Sequence, residues 1–485
     1  MGIMKKNLFF IFFPIYIFAQ IENKNLPISY KIDTLIHKVE RKETLYSISK
    51  IYNVSIEDIK AYNPEIIGNK LKKKMKLNIP QKRKLISIVD KNDIFLKKDD
   101  TDFIDVSLKT INLKDSVFKN KSLKIGLLAP FKIDELDLDS LEINKKLLKE
   151  FNLTTISLDF YSGSLMALKK ANILGINIDF NVFDTENDQR KIEKILLEND
   201  FKDYDFLIGP FIPRNIDQVL DGLGNSKTSL ISPLTTNKLI KKNNLIQSIS
   251  QKEVQQESMF LYIDSLIIDE PDPCVMIIYD SESIDVKNNI LKRFPYAELI
   301  NTNETLSIVD PEITDSLLVT TKNNFVFLES QDLNTITSVS SLLNSQISEE
   351  RNIKLMTTYR SDVYENENIS FEHLGNLNFT YPSYYKPIYD KNLQFYNEDY
   401  LIEFGKLPNK TSIRAHDLTL DLVLRSSVYK NISKSVKIGQ TEYLQNKFNY
   451  QTDTLGLINQ SVYMIEHDKL EIRELEFGSP ISEKK

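Results

Sequence analysis

Residues 159–184 read DFYSGSLMALKKANILGINIDFNVFD, a helix-like segment that runs directly into an apolar stretch. LKIGLLAPF (123–131) stands ahead of it, and YDFLIGPF (204–211), TSLISPL (228–234), CVMIIYD (274–280), NFVFLES (324–330) and IKLMTTY (353–359) follow. Amphipathic segments fill the gaps, among them DQRKIEKILLEN, RNIDQVLDGL, QKEVQQESMFLYIDSLI and TITSVSSLLNSQ. Near-continuous apolar strands alternating with helices predict βαβ units and parallel sheets covered on both faces. These units are too many for one small sheet, so the expected fold is α/β with two lobes.

Working outward, the chain of 485 residues, 41% hydrophobic and 27% charged, has room for two or more domains. Lys5 and Lys6, the apolar stretch Leu8 to Phe18 and the small Ala19 read as a secretory signal over residues 1–19. That stretch is shorter than the roughly 20 residues a membrane span needs, so no transmembrane segment is expected in the mature form. Export to the periplasm or cell envelope follows. With one cysteine, Cys274, a disulfide framework is impossible, and its place before VMIIYD suggests a small residue at a strand start.

Residues 36–80 form a compact basic unit and 81–122 a charged linker; the α/β region spans 123–470, leaving 471–485 as a tail. Residues 37–80 hold ten Lys/Arg against five Asp/Glu, a balance of +5, whereas 123–485 hold 38 against 54, a balance of −16. The acidic bulk argues against nucleic acid as a partner. A basic unit attached to an acidic one suggests two different partners.

Within the small unit, Thr44 can cap a helix carrying Leu45, Ile48 and Tyr52 on one face. Ser55 and Asp58 approximate a capping box for a second helix bearing Ile56 and Ile59. HKV before and MKLNIP after have strand character, giving strand–helix–helix–strand. Val39, Glu43-Thr44-Leu45, Ile48, Tyr52-Asn53-Val54, Ile59, Asn63-Pro64, Leu71, Leu77 and Ile79-Pro80 resemble the LysM peptidoglycan-binding module. The resemblance implies a shallow groove for an N-acetylglucosamine-containing glycan, flanked by Glu43, Thr44 and Leu45 on one side and Asn63, Pro64 and Ile66 on the other. Lys42 and Lys74 stand where that family usually has glycine. If either backbone position is left-handed, the side chain costs roughly 1–2 kcal/mol.

The order of motifs in 123–470 is similar to type I periplasmic binding proteins of the leucine/branched-chain amino-acid receptor group. Gly163, Ala167, Gly175, Asp184, Gly209-Pro210 and Ser232-Pro233 occupy its recurrent positions, and Asp417 matches an acid near the domain's end. The resemblance implies two parallel-sheet lobes with a cleft beyond the carboxyl ends of the strands. Phe211, Arg214, Asn215, Thr235, Thr236 and Ser281 are the expected cleft residues. Thr235 and Thr236 keep the hydroxyl chemistry that grips an amino acid; Pro213, Arg214 and Asn215 do not keep the family's serines.

No catalytic or metal constellation is expected. The four histidines, 37, 373, 416 and 467, are scattered, and no Gly-x-Ser-x-Gly occurs. DGLGNSKT (221–228) lacks the glycine a phosphate loop needs before lysine, and DTENDQ (184–189) lacks a calcium loop's sixth-position glycine. In His416-Asp417 the acid reads as a helix-start residue. The sequence thus points to a non-enzymatic envelope protein, without cofactor, that binds peptidoglycan and serves as scaffold or sensor in wall assembly, with an envelope protein as possible partner. The alternative is a receptor delivering a small polar metabolite or amino acid to a transporter. A wall hydrolase is disfavoured for want of an acid/base pair.

Overall fold

The structure is a computed structural model that describes residues 30–39, 43–45, 48–49, 56–63, 66, 71–72, 74–84, 110–136, 142, 144, 147–148, 151–239, 243–268, 273–302, 308–430, 432–452 and 456–475. The expected signal, most of the linker, Lys42 and Pro64 lie outside these residues. The chain divides into two compact units, residues 1–102 and 103–485.

In the small unit, β1 (Tyr30–Lys38) pairs antiparallel with β2 (Lys76–Lys84), from Tyr30 opposite Lys84 to Lys38 opposite Lys76. Helix α1 (Ile56–Ala61) lies between them in sequence, and Leu45, Ile48 and Ser49 are helical ahead of it. Val39, Leu45, Ile48, Ile59, Ile66, Leu77 and Ile79 form one core, with Ile56 packed against it; of the residues expected on the helix faces, Tyr52 lies outside the described residues.

The larger unit holds two seven-stranded sheets. The first is built on β3 (Ser122–Ala129), β4 (Asn177–Asp184), β5 (Phe206–Ile208), β6 (Ser229–Ser232) and β7 (Leu245–Gln247), all parallel, in the order β4-β3-β5-β6-β7. The second is built on β8 (Cys274–Tyr279), β9 (Glu298–Asn301), β10 (Asn323–Glu329), β11 (Asn352–Met356) and β12 (Thr380–Ser383), parallel in the order β9-β8-β10-β11-β12. A short hairpin, β13 (Thr441–Glu442) with β14 (Lys447–Phe448), comes next. The chain then returns to both sheets. β15 (Tyr450–Thr452) and β16 (Leu457–Asn459) extend the first beyond β7, and β17 (Tyr463–Asp468) and β18 (Glu471–Leu475) extend the second beyond β12.

The covering helices are α2 (Leu153–Ile173), α3 (Gln189–Glu198), α4 (Ile216–Leu223), α5 (Lys252–Ile267), α6 (Ile284–Arg293), α7 (Pro311–Leu317), α8 (Leu333–Ser345), α9 (Phe371–Asn376), α10 (Lys391–Phe404) and α11 (Lys410–Val428). α2 and α11 both start with a capping box, Asn152 with Thr155 and Asn409 with Ser412. They pack so closely that a Cβ on Gly163 would lie 2.0 Å from the Ser412 carbonyl oxygen. Ser164 Oγ and Thr419 Oγ1, 3.0 Å apart, continue the contact.

α11 is buried along nearly its whole length, charged residues included. The buried Arg425 is met by Asp421, Nε lying 2.8 Å from Oδ2, and its remaining donors go to the carbonyls of Ser435, Gly439 and Phe448. Charges so buried are tolerable only when fully partnered. Asp417 sits in the middle of α11, not at its start as the sequence reading had it, because the Asn409 cap begins the helix earlier. Its carboxylate accepts from the backbone N–H of Leu444, Gln445 and Asn446 and from Asn446 Nδ2. His416 Nδ1 lies 2.9 Å from Asp417 Oδ1, although the two are sequence neighbours.

Strand membership makes the chain pass between lobes three times, near residues 248–252, 384–390 and 460–462. The crossings are tied together. Asn459 Nδ2 donates to the Ser248 carbonyl (3.0 Å), Arg414 Nη2 donates to Ser248 Oγ (2.7 Å), and Lys386 N donates to the Gln445 carbonyl (2.8 Å). Residues ahead of the first strand belong to this unit too. Leu113 is in its core, and Lys119 and Asn120 donate backbone N–H to the Ser427 carbonyl.

Candidate functional site

In the small unit His37 Nε2, at the end of β1, lies 2.9 Å from Glu43 Oε2. Thr44 is exposed and its carbonyl accepts from Ile48 N (3.0 Å), which starts the first helical turn. Leu45 and Ile66 point into the common core, so what they offer a ligand is main chain. Asn63 is fully buried and works as a staple: Nδ2 donates to the carbonyls of Ile59 (2.7 Å) and Asn78 (2.8 Å), while Oδ1 accepts from Asn78 N (2.6 Å). Its carbonyl accepts from Ile66 N (3.0 Å), which brings these two expected groove residues together. Of the expected groove residues that are described, Thr44 is exposed and Glu43 partly so. Lys74 has φ +69°, the left-handed conformation that the family's glycine serves, and its N–H donates to the Val39 carbonyl (2.8 Å).

The cleft residues are placed very differently from one another. Phe211 is buried in the first lobe's core, its ring 4.9 Å from that of Phe160. Asn215 is buried and donates Nδ2 to Asn187 Oδ1 (3.0 Å). Thr235 is used locally, Oγ1 accepting from Asn237 N (3.2 Å) and the carbonyl from Gln247 Nε2 (3.1 Å). The Thr236 carbonyl accepts from Lys252 N (3.2 Å), and Lys252 Nζ lies 4.4 Å from the ring centre of Tyr359 in the second lobe. Of the six, Phe211, Asn215 and Thr235 are buried, and Arg214 and Ser281 are exposed.

The second lobe contributes polar groups the sequence reading did not single out. Glu329 ends β10 and is buried. It accepts from Thr358 N (2.7 Å) and Thr358 Oγ1 (3.1 Å). Burial pushes its carboxyl up to about 8, against the pull of those donors. The signal was available: an acid closing an otherwise apolar run, NFVFLES. Farther along the same edge, Arg360 Nη1 meets Glu365 Oε1 (3.1 Å), Tyr385 donates its hydroxyl to the same oxygen (3.0 Å), and Lys410 Nζ meets Asp362 Oδ1 (3.1 Å).

The acids of DTENDQ anchor backbone. Asp184 accepts from Lys132, Ile133 and Glu186 N–H, and Asp188 caps α3. Among the described residues no group of three or more His, Cys, Asp or Glu is placed to hold a metal ion. Nor is any described helix long and apolar enough to cross a membrane.

Residues 37–80 match the LysM domain model. No curated protein matches the sequence significantly. Among solved structures, a putative branched-chain amino acid ABC transporter protein from Rhodospirillum rubrum is 10% identical. The match covers 73% of this chain and 100% of that one, with a TM-score of 0.50. The substrate-binding protein LivJ from Streptococcus pneumoniae, solved with isoleucine, is 12% identical over 73% of this chain and 98% of its own, with a TM-score of 0.41. Full-length LpoA from Haemophilus influenzae is 13% identical over 74% of this chain and 60% of its own, with a TM-score of 0.46. Residues 37–80 are thus a LysM domain, and the larger unit has the bilobed α/β fold of type I periplasmic binding proteins.

Proposed function

We propose that this chain is a non-enzymatic, exported cell-envelope protein whose LysM domain binds the N-acetylglucosamine-containing glycan of peptidoglycan and whose bilobed domain serves as a scaffold or sensor in wall assembly. The observation that carries the first half is the LysM match over 37–80, with the Glu43-Thr44 turn next to a core that spans the module. A neutral sugar needs backbone donors and acceptors and some apolar surface, and this small turn-rich unit can supply both. Export rests on the residues 1–19 pattern, and an envelope protein is the partner class the scaffold reading implies.

For the larger domain, one observation favours a scaffold over solute capture. Phe211 and Thr235, expected to line a seat, are engaged with their own protein, as is Asn215 through its Nδ2. The solute-receptor alternative keeps Arg214, Ser281 and the Glu329 edge as its ligand groups. A metabolite panel separates the two. A receptor shows a ligand-dependent rise in melting temperature, about 2.7 kcal/mol of added stability at a hundredfold excess over Kd; a scaffold shows none. Crosslinking in cells that recovers wall-assembly proteins supports the scaffold, and recovery of transport permeases alone overturns it.

A further inference from the structure

The edge of the second sheet opposite the interlobe cleft carries two adjoining cavities of about 300 and 410 Å³. They share Ile347, Asn376 and Asn378, and so form one trough. Asn323 and Asn352, the paired first residues of β10 and β11, stand along it, and Asn344 joins from the last turn of α8. Apolar surface from Leu266, Phe325 and Ile347 lies among these amides.

We propose that this trough is a saccharide-binding site, taking a neutral N-acetylated sugar. It shares its ligand class with the LysM reading but depends on none of that module's residues.

The chemistry argues for a sugar in three ways. Each carboxamide offers a donor and an acceptor in one plane, which suits hydroxyls and acetamido groups that must do both. α8 and α9 both end here, at Ser345 and Asn376, and helix C-termini present carbonyl acceptors and partial negative charge. That end suits hydroxyl donors and disfavours phosphate or carboxylate. Charge on the wall is largely balanced: Lys354 is ion-paired with Glu466, its Nζ 3.5 Å from the Asn378 carbonyl, and of the neighbouring Asp468 and Lys469 the acid is paired with Arg473.

The amides are preorganised. Asn376 Nδ2 donates to Asn344 Oδ1 (3.0 Å), which restrains both side chains and leaves Asn376 Oδ1 and Asn344 Nδ2 outside that bond. Gly375 holds the trough's floor close, since a Cβ there would lie 1.7 Å from the Lys469 carbonyl oxygen. The combined space falls in the range of small-ligand sites, roughly 300–1,000 Å³.

The test uses the full chain and a β-1,4-linked N-acetylglucosamine tetramer carrying a diazirine at its reducing end. After irradiation, labelled peptides are mapped by mass spectrometry in wild type and in the exposed-position variant Asn352→Leu/Asn376→Leu. Labelling within 323–378 is expected in wild type and falls about tenfold in the variant, with labelling of 37–80 unchanged. Absence of label from 323–378 in wild type, or label there that the double variant leaves intact, overturns the proposal. Label in 323–378 without label in 37–80 sustains it and instead sinks the LysM reading.

Discussion

Lys410 Nζ and Asp362 Oδ1 lie 3.1 Å apart, joining the first turn of α11 in one lobe to the loop after β11 in the other. The Asp362 side chain is largely exposed and that of Lys410 partly so, and the pair therefore contributes little stability. Arg414, one turn along the same helix, is buried and joins the Ser248 and Asn446 side chains at the chain crossings. Lys410→Ala is therefore expected to cost under about 1 kcal/mol. Arg414→Ala, which strands buried acceptors, is expected to cost about 3 kcal/mol or more. Urea denaturation of the two variants checks the contrast.

Gly163→Ala is expected to disrupt the α2–α11 contact, because its methyl would meet the Ser412 carbonyl oxygen at 2.0 Å, which is backbone that cannot swing away. A loss of about 3 kcal/mol or more follows. A melting temperature unchanged within error would show that the helices can separate at low cost.

Lys74→Gly is expected to stabilise the LysM domain. Relief of the left-handed side chain gives roughly 1–2 kcal/mol, offset by the roughly 0.5–1 kcal/mol of extra backbone freedom glycine loses on folding. A net gain of about 0.5–1 kcal/mol appears as a slowing of amide exchange at Leu77 and Ile79 by about two- to fivefold.

His467 is buried among Phe371, Phe379 and Tyr381, and burial, with Arg360 nearby, pushes its imidazole down to about 4 from 6.5. The folded chain holds it neutral while the unfolded chain takes up a proton below 6.5, so stability is lost as pH falls from 6.5 towards 4. The full effect is about 3 kcal/mol at 1.36 kcal/mol per unit. Urea midpoints at pH 7 and 4.5 should fall more in wild type than in His467→Leu; equal falls would remove His467 from the account.

The central parallel strands were legible because burial on both faces makes them read as apolar runs; CVMIIYD and NFVFLES became β8 and β10 nearly to the residue, whereas the parallel β7, β9 and β12 were not singled out. The Gly163 helix was legible through its resemblance to a family motif, and the structure supplies the reason for the glycine, the Ser412 backbone that approaches it. The late strands β15 to β18 were not. They are short, carry Gln, Asn, Glu and His between apolar residues, and acquire strand character from the sheet edges they join. The cleft was legible as an edge but not as a chemistry. Whether the Asn215 amide N–H meets a solute or Asn187 depends on a residue 28 positions away, and no local pattern encodes that. Asn63 shows the converse, a loop residue whose side chain is spent on the fold.

Co-sedimentation of the full chain with purified peptidoglycan sacculi tests the central claim most directly, with Thr44→Trp, which fills the exposed turn beside Glu43, as the comparison. The wild type is expected to pellet with sacculi and the variant to bind about tenfold more weakly, with both melting alike. A wild-type chain that stays in the supernatant, or a chain lacking residues 30–102 that pellets just as well, would contradict the account.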